Sequence, residues 1–159
     1  MRLISILIIS FLAITSINGQ RSDSDFNSIY LSLIQQHVND HGINYKGITQ
    51  EELALLNKSL VELPISYLLK EKTLDPLLIN VYNYVVIKKV KDYYPIKSVA
   101  QVSDFFTKEE QIGDTMINLD DLEKRIVNLA GDPYVHFLLN CGAKSCGDLQ
   151  YISLSLIHI

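Results

Sequence analysis

Apolar residues return every three or four positions along much of this chain, and that spacing predicts helices. Phe26, Ile29, Tyr30, Leu33, Ile34 and Val38, with His37 among them, line one face of a first helix. Asp25 offers a cap at its start and Gly42 a stop. A second helix opens at Thr49-Gln50-Glu51-Glu52, where a hydroxyl and a carboxylate three residues apart form a capping box. Leu53, Leu56, Leu60 and Leu63 give its stripe, and Pro64 ends it. The third helix is the most apolar. Thr73 or Asp75 caps it, Pro76 suits its first turn, and Leu77, Leu78, Val81, Tyr82, Val85, Val86 and Val90 cover more than half its circumference. Such a helix is expected at the centre of the core. Tyr93-Tyr94-Pro95 stops it, and a shorter helix is expected around Ser98–Phe106.

The remaining pattern is mixed. A short extended piece is expected at Ile43-Asn44-Tyr45 and a strand near Ile112–Ile117. Asn118 then caps a helix with acids in its first turn, closed by Ile126, Leu129 and Gly131. Tyr134–Leu139, rich in aromatic, branched and aliphatic residues, reads as a strand. No repeat, linker or low-complexity tract interrupts this order. The expected fold class is α+β: a mostly helical single domain with a small β-sheet, which 159 residues suit. Asn57-Lys58-Ser59 matches a glycosylation sequon, but on a helix it reads as a chance match.

The first twenty residues follow a different rule. Arg2 precedes an apolar run from Leu3 to Ile14, broken only by Ser5 and Ser10, and a polar segment Thr15–Gln20 follows. This is the layout of a secretory signal peptide, residues 1–19, with cleavage expected before Gln20. The run is shorter than roughly 30 Å of hydrocarbon requires, so no stable membrane span is expected once the signal is removed; an uncleaved anchor is the alternative. The expected location is secreted or periplasmic. Loss of Arg2 takes the net charge from −4 to −5. That acidity argues against a nucleic-acid partner and against anionic lipid surfaces.

The chemistry concentrates in residues 132–149, DPYVHFLLNCGAKSCGDL, which hold His136, Asn140 and both cysteines. On a strand, His136 and Asn140 share one face and Cys141 starts the loop beyond it. One reading is a thiol-dependent hydrolase- or transferase-like site, with Cys141 or Cys146 the nucleophile, His136 its base, Asn140 orienting the imidazole or polarising a carbonyl, and Lys144 adding positive field. The competing reading is a non-catalytic binding or scaffold domain whose small turn is closed by a Cys141–Cys146 disulfide, worth roughly 2 kcal/mol by loop entropy. A third uses His136, Cys141 and Cys146 as metal ligands with His37 or His41 as a fourth, but that cysteine spacing is unusual for zinc; no metal or cofactor is expected. Asn80 and Asn83, three apart on the third helix, either bond neighbouring backbone or line the same cleft as binding residues. Asp120, Asp121 and Glu123 read as first-turn helix charges. His37 is expected at the wet edge of the first helix.

Three stretches together resemble the family known as domain of unknown function 547. Ile79-Asn80-Val81-Tyr82-Asn83, with Tyr94-Pro95-Ile96-Lys97-Ser98-Val99 downstream, is similar to its Trp-Ile-Asn-x-Tyr-Asn helix and Tyr-Pro-x-Lys-Ser-Ile continuation. Leu119-Asp120-Asp121-Leu122-Glu123 resembles its Leu-Asp-Asp-Ile-Glu segment, and Val135-His136-Phe137-x-Leu139-Asn140-Cys141-x-x-Lys144-Ser145-Cys146 its most recognisable block. Leu78, Lys124 and Gly147 depart from the usual Trp, His and Pro. The resemblance spans residues 25–149 and implies a domain that normally continues further, so the C-terminal part is expected to be missing and residues 150–159 to be a tail without family likeness. It implies a class and no reaction. The expected ligand is a small molecule or a peptide.

Overall fold

Helix α4, Leu77–Asp92, is the hub of the computed structural model: thirteen of its sixteen residues are buried. Residue 23 and residues 25–142 are described. The expected leader, Lys144, Cys146 and residues 150–159 lie outside them. Every turn of α4 presents Leu, Ile, Val or Tyr to a neighbour, and each such side chain contributes about 1.5–3 kcal/mol when fully buried. The helix starts where sequence chemistry places it. Pro76 precedes it, and the Asp75 carboxylate accepts the Leu77 N–H at 2.9 Å.

Other elements pack around this hub. Helix α1, residues 25–37, meets it through Phe26, whose ring stands edge-on to Tyr84 at 5.8 Å. Asp25 lies inside α1 rather than capping it. Helix α2, Gln50–Val61, receives the Tyr84 hydroxyl at the Leu53 carbonyl (3.1 Å) and the Asn57 side chain (2.9 Å), so the sequon asparagine is engaged in packing. The capping box at Thr49 and Glu52 is formed as expected. Helix α2 stops before Pro64, which instead leads a short helix α3, Ile65–Leu68. Helix α5, Leu119–Ala130, packs on α4 with Leu119, Leu122, Ile126 and Leu129 buried; Asn118 caps it and Gly131 ends it.

Among the described residues the extended segments form two separate two-stranded sheets. Strand β1, Val38–Asn39, pairs antiparallel with β2, Gly42–Ile43, so Gly42 belongs to a hairpin and not to a helix end. The single strand expected near Ile112–Ile117 is a hairpin: β3, Glu110–Ile112, pairs with β4, Thr115–Ile117. Its turn presses on α3. A Cβ on Gly113 (φ +58°) would stand 2.6 Å from the Leu63 carbonyl, and the Asp114 carboxylate accepts the Ser66 N–H at 2.7 Å. The buried Lys89 ammonium fastens the hairpin to α4 through Glu110 (2.9 Å) and lies 5.1 Å from the Phe105 ring centre. The expected Ser98–Phe106 helix shrinks to a 3-10 turn, Val99–Gln101, because Val102 is already extended (φ −109°, ψ 104°).

Candidate functional site

Residues 133–138 are not a strand. Pro133–Leu138 forms a 3-10 helix that packs on α5. Local chemistry overrides β propensity here. The Asp132 side chain accepts the Tyr134 N–H at 2.9 Å, and Pro133 fits the first turn, where no donor is needed. Val135 and Leu139, four apart, take the buried side. The strand alternation therefore fails: the His136 side chain is 60 % exposed, whereas Asn140 is 7 % exposed. The expected shared face of His136 and Asn140 does not exist.

His136 instead meets a residue of another helix. Its Nδ1 lies 2.8 Å from Oε1 of Glu123, and Oε2 of Glu123 accepts the Tyr82 hydroxyl at 3.1 Å. One carboxylate thus joins a buried phenol of α4 to an exposed imidazole. Burial, then the adjacent Glu123 charge, raises the Tyr82 pKa far above the usual phenol range, so the hydroxyl remains a donor.

Asn83 organises the segment that follows. Its Nδ2 donates to the Leu138 carbonyl (3.0 Å), and its Oδ1 accepts the Asn140 N–H (2.7 Å). The buried Tyr30 hydroxyl also bonds this amide. The Asn140 side chain is used locally, accepting the Gly142 N–H at 2.8 Å. Gly142 has φ +69°, and a Cβ there would stand 2.9 Å from the Val99 side chain, so the loop is seated tightly beside α4. Asn80 points elsewhere, donating to Asn27 of α1 at 2.9 Å. Asn83 and Asn140 therefore come together, and Asn80 does not join them.

Cys141 is half-buried, and no free cysteine occurs among the described residues. Lys144 and Cys146 lie outside those residues. His37 is paired and not at a wet edge: its side chain is 11 % exposed, with Nε2 2.8 Å from Glu52. His41 sits in the β1–β2 turn, where its N–H bonds Asn39. Among the described residues no three His, Cys, Asp or Glu side chains gather as a metal set.

The model of a family described as Protein of unknown function, DUF547 matches residues 68–158, more than half of the chain. The chain belongs to the DUF547 family. No curated protein and no solved structure matches it. In this DUF547 chain, Asn80, Tyr82, Asn83, Glu123, His136, Asn140 and Cys141 all fall inside the matched region, whereas α1 and α2 precede it. The match begins later than the motif-level resemblance and runs further, to residue 158.

Glu123, expected among the first-turn charges of α5, has a different place. It lies beyond the first turn of α5, where only Asp120 and Asp121 sit. A signal was present in its spacing. Four residues after Leu119 and three before Ile126, Glu123 borders the buried stripe of α5, where a half-buried carboxylate needs a partner. Chemically, a carboxylate fixed by a phenol can hold an imidazole in one orientation, as an acid–base group requires.

Proposed function

We propose that this DUF547 chain is an exported protein in which His136 acts as a general base in a hydrolase- or transferase-type reaction on a small molecule or peptide. The observation that carries this reading is the Glu123 carboxylate held between the Tyr82 hydroxyl and His136 Nδ1. An ionised carboxylate there draws the ring proton to Nδ1 and leaves Nε2 with a lone pair on an exposed ring. The same bond stabilises the imidazolium formed when Nε2 takes a proton from water or a substrate hydroxyl.

In this reading Cys141 and Cys146 form a structural disulfide that closes the loop behind His136. It is supported by the lack of a free thiol at Cys141 and by the oxidising compartment that export implies. Export itself rests on the apolar run after Arg2; no helix among the described residues is long and apolar enough to cross a membrane. A Cys141 nucleophile is the rival outcome.

Two measurements decide. Long-range proton–nitrogen NMR spectra at a pH where the ring is neutral should show His136 as the Nδ1–H tautomer, reverting in Glu123→Gln; an Nε2–H tautomer in the unmutated protein removes the base. With p-nitrophenyl acetate as probe, His136→Ala should lower turnover by about a hundredfold or more. Turnover that survives this change but vanishes on alkylation of Cys141 would establish the thiol reading instead. Mass analysis before and after reduction counts the bonded sulfurs.

A further inference from the structure

Nine large apolar side chains are exposed among the described residues, and the two most exposed, Tyr134 at 73 % and Phe137 at 66 %, sit in the 3-10 helix that carries His136. We propose that these two rings are a docking platform for a basic side chain, arginine above all, of a peptide ligand brought to His136. The proposal rests on the reading of His136 as the working group for its purpose, and on independent geometry for its form.

The platform is built and not loose. Residues i and i+3 of a 3-10 helix eclipse, so Tyr134 and Phe137 emerge on one side. Their rings are near-parallel, 24° apart, with centres separated by 6.3 Å. Phe137 also stands edge-on to His136 at 6.1 Å. Beneath the rings, buried Val135 and Leu139 and the Asn83 bond to the Leu138 carbonyl hold the backbone in place. Other exposed apolar side chains, Val61 and Met116 among them, stand on other elements, whereas here two rings are exposed side by side on one turn.

Charge selects the occupant. Carboxylates flank the platform: Asp132 at the start of the turn and Glu123 against His136. Among the described residues no lysine or arginine covers either ring. Elsewhere the chain fills such faces itself, with Lys89 over Phe105 at 5.1 Å and Lys91 over Tyr94 at 5.7 Å. Two open aromatic faces with carboxylates beside them attract a cation, and a planar guanidinium can stack on a ring while bonding a carboxylate. The same carboxylates repel phosphorylated or acidic ligands.

The test is an NMR titration of the whole chain with four probes: acetyl-Gly-Arg-Gly-amide, the Leu and Glu versions of that peptide, and the disaccharide cellobiose. The arginine peptide should give saturable shifts at Tyr134, His136 and Phe137, weakened by added salt. Tyr134→Ala and Phe137→Ala should each reduce its affinity about two- to fivefold. Tyr67→Ala, which removes an exposed ring from α3, should leave it unchanged. Equal or stronger shifts with the leucine or glutamate peptide, a preference for cellobiose, or no saturable shift at these residues overturns the proposal. The unmutated titration decides even if a variant misfolds. Because the His136 tautomer is read without peptide, a failed base and a failed platform are told apart.

Discussion

Two histidine–glutamate contacts of equal length, 2.8 Å, serve different ends in this molecule. His37 meets Glu52 with both side chains largely covered, and the other oxygen of Glu52 accepts the Thr49 N–H and hydroxyl at the start of α2. One oxygen of that carboxylate joins α1 to α2 and the other caps α2. His136 meets Glu123 with its ring mostly in solvent, and the other oxygen of Glu123 is anchored by a buried tyrosine. There the carboxylate is fixed from behind and the imidazole is presented outward. The distance alone does not distinguish a covered helix fastener from the exposed pair that carries the proposed base. The second partner of the carboxylate and the exposure of the ring do.

The contrast is sharpened most by removing what holds the exposed pair's surroundings. Asn83→Ala leaves the Leu138 carbonyl and the Asn140 N–H without their partners, and should cost about 3 kcal/mol in urea unfolding. A loss below about 1 kcal/mol would mean that the loop after His136 is not pinned through Asn83. Glu52→Ala removes both the capping box and the His37 contact and should cost about 1–2 kcal/mol. Tyr82→Phe deletes one hydrogen bond to Glu123 and should cost about 1 kcal/mol while disturbing the His136 tautomer. The smallest expected change is His136→Ala, below about 0.5 kcal/mol, because the ring is exposed. If His136→Ala destabilised the fold as much as Glu52→Ala, both pairs would be fasteners and the comparison would collapse.

Acid titration separates them in another way. Burial raises the Glu52 pKa, but the bonds from Thr49 and His37 outweigh it and hold the carboxyl below its usual value of 4.5. A carboxylate depressed in the folded state adds stability above its unfolded pKa, and that contribution is lost as pH falls through the folded value. Stability should therefore decline below about pH 4.5, and Glu52→Gln should flatten this acid limb in a series of urea midpoints. An unchanged limb in the variant would assign the acid sensitivity to other carboxylates.

The readable parts of the chain are those where short-range chemistry and apolar spacing agree. Thr49-x-x-Glu52, Asn118 before α5 and the dense apolar run of α4 each specify their own element, and each is found as expected. Tyr134–Leu139 shows where that reasoning fails. Its aromatic and branched residues favour a strand, but a strand needs a neighbour to pair with, whereas Asp132 and Pro133 begin a tight turn from within the chain. Asn80 and Asn83 had equal standing as helix amides; only the elements packed against α4 send one to Asn27 and the other to the loop.

Sequence alone determined the helical stripes, their caps, the family resemblance and the block in which the chemistry collects, because these depend on residues within a few positions of one another. Tertiary structure decided that Glu123, distant from His136 along the chain, is its partner, and that Asn140 is a buried loop amide. Hydrogen bonds between elements are set by how whole helices pack, and that arrangement is a property of the complete core and not of any local run of residues.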